Sequence, residues 1–251
     1  MERVGTGRAQ IAREASVRIT DIEYSLEGTR LVGHLAVDDD RDGKHPAVLV
    51  AHDAGGIDAV AKLTAVRLAE LGYVALALDY HGDGARLAPE DIGERFGRLA
   101  GDPSRVRALA HAGLDILVSD EYADPDRLAA VGFCFGGTMA LELARSGAPL
   151  SAVVGFHSGL GTAQPEDAAN ITGKVLVCIG ADDPIIPPEQ RLAFEEEMRA
   201  AGVDWQMHVY GGAVHSFTNP DADGSNPAIR YDRRAAERSW LAMQGLFTEV
   251  F

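Results

Sequence analysis

Gly132-Phe133-Cys134-Phe135-Gly136-Gly137 is the stretch on which the fold of this 251-residue chain turns. The apolar run Leu128-Ala129-Ala130-Val131 leads into it and reads as a buried strand, and Thr138 to Arg145 follows with the spacing of a helix. A reactive side chain held between Gly-x and x-Gly at a strand-to-helix joint is the pattern of a nucleophile elbow. Neighbouring Cβ atoms would collide in so tight a turn, and glycine relieves that crowding. Serine is the commoner nucleophile there, whereas this chain has cysteine. Alone, a cysteine in apolar surroundings suits a buried structural role equally well. The stretch therefore needs a base and a carboxylate from elsewhere in the chain.

Outward from the elbow, short apolar runs alternate with helical patterns. Val17 to Leu26 and Arg30 to Val37 alternate around the turn Glu27-Gly28-Thr29 and predict an antiparallel hairpin. Ala47–Ala51, Tyr73–Leu78, Leu150–Phe156 and Lys174–Ile179 read as strands buried on both faces, and Trp205–Tyr210 as a further strand. Helical spacing covers Ile57–Leu71, Pro103–Leu117, Pro188–Ala201 and Ile229–Phe251. The long polar segment Asp79–Asp102 exceeds a simple connector and is expected to cover or line a site. This order predicts one α/β domain over 17–251: a mostly parallel sheet, an antiparallel N-terminal edge, and helices on both faces. Residues 1–16 carry scattered charges without an apolar core, as expected of a frayed leader rather than a secretory signal.

Composition narrows the function classes. A net charge of −15 argues against nucleic acid and anionic membrane as partners. Two cysteines, Cys134 and Cys178, give no disulfide framework, and a reducing cytoplasm is the default. No Cys/His spacing of zinc type occurs, and neither metal nor cofactor is expected. The expected partner is a small-molecule substrate, with the chain a monomer or homodimer.

In a mostly parallel sheet, chemistry gathers at the carboxyl ends of the strands. Two further segments follow strands: Gly180-Ala181-Asp182-Asp183-Pro184-Ile185-Ile186-Pro187 and Gly211-Gly212-Ala213-Val214-His215-Ser216-Phe217. The order nucleophile, acid, histidine is that of the α/β-hydrolase triad. His215 would take the thiol proton or pair with the thiolate, and a carboxylate would hold its tautomer and stabilise its charged form. The spacing Gly-x-x-Asp-x-x-x-Pro favours Asp183 over Asp182. A thiolate beside His⁺ at a helix N-terminus has a lowered pKa, which makes cysteine a workable nucleophile.

These three motifs together resemble the dienelactone hydrolase family, over about Ile19 to Phe251. The resemblance implies an α/β-hydrolase fold with Cys134, Asp183 and His215 as triad. It places the oxyanion hole at the amides of Ala54 and Phe135, in agreement with the rule that one donor follows the nucleophile and the other comes from the first strand–helix loop. In the family, the loop at Val50-Ala51-His52-Asp53-Ala54-Gly55-Gly56 carries a glutamate that pairs with the resting cysteine. Here Asp53, one methylene shorter, takes that nucleophile-modulating position. The members that cleave dienelactone bind its carboxylate with two arginines. This chain has Thr218-Asn219-Pro220 where one would lie and no arginine in register at Asp79-Tyr80-His81-Gly82. His81 and His157 are expected to line the substrate pocket. The expected activity is cofactor-free hydrolysis of small esters or lactones through a covalent Cys134 intermediate, with promiscuity toward phosphotriesters. The alternatives are a true carboxymethylenebutenolidase and, further off, a thiol-redox or non-enzymatic binding protein.

Overall fold

The computed structural model describes residues 17–251, so the leader expected over 1–16 lies outside the described residues. β1 (Val17–Leu26) and β2 (Thr29–Asp38) form the antiparallel hairpin, with Val17 opposite Asp38 and Leu26 opposite Thr29. The sheet continues through β3 (His45–Ala51), β4 (Val74–Leu78), β5 (Ala123–Phe133), β6 (Ala152–Phe156), β7 (Lys174–Gly180) and β8 (Trp205–Tyr210). Its strand order is β1-β2-β4-β3-β5-β6-β7-β8; β2 meets β4 antiparallel, and every pairing from β4 to β8 is parallel. This is the α/β-hydrolase fold.

Among the described residues six α-helices cover the faces: α1 (Ala59–Glu70), α2 (Pro89–Ala100), α3 (Pro103–Ser119), α4 (Phe135–Arg145), α5 (Pro188–Ala201) and α6 (Arg233–Val250). The period-2 alternation of a strand sorts β5 between two cores. Leu128 and Ala130 join the core shared with Leu109, Met139, Leu143 and Phe194 of α3, α4 and α5. Ala129, Val131 and Phe133 join the core shared with Leu68 of α1 and with Met243 and Phe247 of α6. No helix among the described residues is long and apolar enough to cross a membrane.

Two boundaries differ from the sequence expectation by more than three residues. The last helix starts at Arg233 rather than Ile229, because the Asp232 side chain caps it by accepting from Ala235 N at 3.0 Å. β5 starts at Ala123, upstream of the apolar run: Ala123 and Asp124 pair with His45 and Pro46, and residues 125–127 bulge out before Leu128 meets Ala47.

The first of the two cores contains an ion-pair cluster. Arg145 of α4 is fully buried and reaches Glu142 at 3.0 Å and Glu197 of α5 at 2.7 Å. Arg107 of α3 bonds Glu142 at 2.8 Å and Asp167 at 2.6 Å, the latter in a short 3-10 turn, Pro165–Asn170. Buried charges persist only when paired and hydrogen-bonded, so this network fixes α3, α4 and α5 relative to one another.

Candidate active site

The elbow has the geometry its glycines predict. Cys134 sits at φ 51°, ψ −120°, between the end of β5 and the first residue of α4. Its N–H donates to Phe156 O at 3.0 Å, which ties the turn to β6. A Cβ on Gly132 would lie 2.1 Å from Gly136 O, one on Gly136 2.1 Å from His52 O, and one on Gly137 1.6 Å from Ser158 Oγ. The backbones of the elbow and the His52 loop thus touch, which puts the thiol beside the end of β3. Phe135 opens α4, so its N–H has no partner within the helix. Ala54 lies in the neighbouring loop after β3.

Asp183 and His215 come together behind the thiol. Asp183 follows β7; its Oδ1 accepts from Ile185 N at 2.8 Å, which leaves Oδ2 for Nδ1 of His215, also at 2.8 Å. His215 follows β8, and its backbone is pinned to a distant loop: His215 N donates to Ala228 O at 3.0 Å and Arg230 N to His215 O at 3.1 Å. Burial by itself would lower the His215 pKa, but the Asp183 hydrogen bond and the neighbouring Cys134 outweigh it, and the value rises to about 9. Nε2 of His215 is buried without an oxygen or nitrogen partner. That nitrogen is therefore available to the thiol and to a leaving group.

Cys134 and His215 open together onto a cleft of about 540 Å3. Its walls are largely apolar and include Phe96, Leu99 and Ala100 of α2, Val106 of α3, and Ile185 and Ile186 beside Asp183. The long segment after β4 does line the site, as expected from its length. Phe96 stands edge-on to Phe135 at 5.2 Å. Among the described residues no arginine or lysine lines the cleft; Glu142 and His215 are the ionisable groups there besides the thiol. Both Glu142 oxygens are already bonded to Arg107 and Arg145.

The remaining candidates are placed differently from expectation. His81 and His157 are absent from the cleft lining. His81 turns its Nε2 to Ala54 O at 2.9 Å, in the loop after β3. His157 turns its Nε2 to Thr218 Oγ1 at 2.8 Å and packs its ring against His215 at 5.0 Å. Burial lowers the pKa of both. Asp53 accepts from Gly55 N at 2.7 Å, which closes its own loop turn. It faces a small cavity with Asp58, His157 and Ser216 instead of the main cleft. Sequence reasoning passed over Tyr80, which stacks on His52 at 3.7 Å and donates its hydroxyl to the carbonyls of that loop. Its position two residues past β4, at the carboxyl edge of the sheet, was the available signal. Among the described residues no cluster of three or more His, Cys, Asp or Glu side chains has the arrangement of a metal site.

Comparisons with known proteins identify the family. A solved structure described as m3DLH is 49% identical and superposes with a TM-score of 0.91, covering 94% of this chain and 99% of its own. A dienelactone hydrolase-like promiscuous phosphotriesterase, P91, from metagenomic libraries, is 42% identical with a TM-score of 0.90 over the same shares of the two chains. Protein usf of Aquifex pyrophilus is 26% identical over 233 residues, 91% of this chain and 97% of that one. The sequence pattern of the dienelactone hydrolase family matches residues 32–251. The chain belongs to that family and is a hydrolase of its kind.

Proposed function

We propose that the chain hydrolyses small uncharged esters and lactones through a thioester on Cys134. The observation that carries this reading is the placement of His215, bonded to Asp183 at Nδ1 and open at Nε2 toward the thiol, at the mouth of an apolar cleft. In the forward step the Cys134 sulfur, its proton resting on Nε2 of His215 as the raised imidazole pKa favours, bonds to the carbonyl carbon. The carbonyl oxygen takes the displaced electron pair and rests on the N–H groups of Ala54 and Phe135. Collapse breaks the C–O bond, and the imidazolium gives its proton to the departing alkoxide. A water then loses its proton to Nε2, attacks the thioester and frees the acid and the thiol. Asp183 keeps the proton on Nδ1 and balances the charge of His215 through both halves.

A cleft without a cation supports neutral substrates over anionic lactones, since a carboxylate would enter apolar surroundings unpaired. It weighs against the carboxymethylenebutenolidase alternative. The resemblance to a promiscuous phosphotriesterase supports a second substrate class for the same nucleophile, with a thiophosphoryl adduct on Cys134. A cytoplasmic setting and a small-molecule substrate belong to the same reading. The experiment is a panel of neutral lactones, aryl esters, a carboxylate-bearing ester and an aryl phosphotriester, with intact-mass detection of the adduct. Turnover of the neutral compounds with mass added at Cys134 is expected. Turnover without any adduct in the Cys134→Ala protein as well as the parent defeats the proposal.

A further inference from the structure

We propose that His157, anchored by Thr218, is a positioning residue for His215: it sets the plane of that ring. The inference rests on His215 being the base. It begins with the backbone. His157 is 2% exposed and sits at φ 41°, a region that a bulky residue adopts only where its surroundings impose it. Its N–H donates to Cys178 O at 2.8 Å, which fixes the turn against β7.

The ring is then held from two sides. Thr218 Oγ1 lies 2.8 Å from its Nε2, and Phe217 meets it edge-on at 5.2 Å. The ring in turn meets His215 at 5.0 Å and 67°. Thr218 belongs to the loop that carries His215, and Asp232 N, donating to Phe217 O at 3.0 Å, holds that loop still. His215, Phe217, Thr218 and His157 thus form a closed circuit of contacts. Nδ1 of His157 is buried and unpartnered. An orphaned buried nitrogen costs stability, and a phenylalanine would fill the space without that cost. What the imidazole adds over an apolar ring is its bond to Thr218.

The charged and titratable groups around the pair are few. Asp183 and Cys134 act on His215. Asp53 and Asp58 line the small cavity against His157 and Ser216. Burial and the neighbouring His215 both disfavour charge on His157, so the positive charge of the working cycle stays on the ring that faces the thiol.

The test compares Thr218→Val, Thr218→Ser and His157→Asn with the parent. Asparagine tolerates the left-handed backbone and so preserves the turn. Three readouts are taken: kcat and KM on a neutral aryl ester, the pH profile of Cys134 alkylation by iodoacetamide, and the NMR titration of the His215 ring. Thr218→Val is expected to lower kcat roughly tenfold with KM little changed, because a small displacement of a catalytic group is costly. It should also move the alkylation profile and the His215 titration midpoint in parallel, and Thr218→Ser should restore all three. His157→Asn should shift them in the same direction as Thr218→Val. A Thr218→Val protein with the parental alkylation profile and His215 midpoint overturns the proposal, whether or not its melting temperature falls. Alkylation and NMR need no substrate, so a parent inactive on every ester would refute the proposed reaction and leave this result readable.

Discussion

Asp183 Oδ2 stands 2.8 Å from Nδ1 of His215, with both side chains closed off from solvent. Replacing that carboxylate by an amide keeps the shape and removes the charge. Asp183→Asn is expected to lower kcat by about 10³- to 10⁴-fold, as loss of the tautomer-fixing carboxylate does in other triads. Steady-state kinetics on a neutral ester check this; a loss below tenfold would remove Asp183 from the mechanism.

The same pair makes stability depend on pH. The folded-state pKa of His215 is raised from 6.5 to about 9. A raised histidine pKa stabilises fully below the unfolded value and loses that contribution as pH climbs through the folded one. The contribution is on the order of 3 kcal/mol. The melting-temperature gap between parent and Asp183→Asn should therefore be widest near pH 6 and shrink toward pH 9.5. A gap that widens with pH would contradict the assignment.

The two cysteines should react very differently. Cys134 is half-buried at the cleft, whereas Cys178 is fully buried in β7 with its thiol pushed up to about 12 by burial. Iodoacetamide is expected to modify Cys134 alone in the native protein and both after denaturation, read by peptide mass. Cys134→Ser should keep the fold and lose activity by orders of magnitude, because a serine hydroxyl lacks the thiol's acidity.

The elbow glycines separate a backbone clash from a side-chain clash. Gly136→Ala drives a methyl into His52 O at 2.1 Å, which nothing nearby can vacate. It should cost about 3 kcal/mol or more and have no second-site remedy at a side chain. Gly137→Ala meets the Ser158 side chain instead, so Ser158→Gly in the same protein should recover most of the loss in urea unfolding.

Charge at the cleft gives a specificity prediction. A carboxylate-bearing ester should show kcat/KM at least about tenfold below that of its neutral isostere, since burying an unpaired charge costs more than 1.4 kcal/mol. Arg145→Met, made in the ion-pair cluster behind the cleft, is expected to cost roughly 3–5 kcal/mol by stranding Glu197 and leaving Glu142 with Arg107 alone.

Much of this arrangement was legible in the chain because it depends on local pattern. The buried strands announce themselves as short apolar runs, and the elbow as glycines that sterics requires. Asp183 and His215 could be placed because each follows a strand, and strand ends define the site. His81 and His157 also follow strands, yet their rings turn to Ala54 and Thr218. Sequence position says which end of the sheet a residue occupies, but not which side of its loop it faces. Thr218 was visible only as the place where an arginine is missing; its bond to His157 spans 61 residues and has no local signature. The start of α6 was misjudged because Ile229 continues the apolar spacing, whereas the Asp232 cap and the ties to His215 hold 229–232 as loop.

The parallel seam between β7 and β8, with Val177 opposite Met207 and Gly180 opposite Tyr210, has a consequence for the order of folding. It joins the strand that leads to Asp183 to the strand that leads to His215, and it forms from the last strand among the described residues. Such non-local pairings are slow to assemble. Until β8 docks, the loop that carries His215 is not held beside Cys134. Reactivity on refolding should therefore appear only with that closing event, so the rate at which the thiol gains its nucleophilicity times the completion of the sheet.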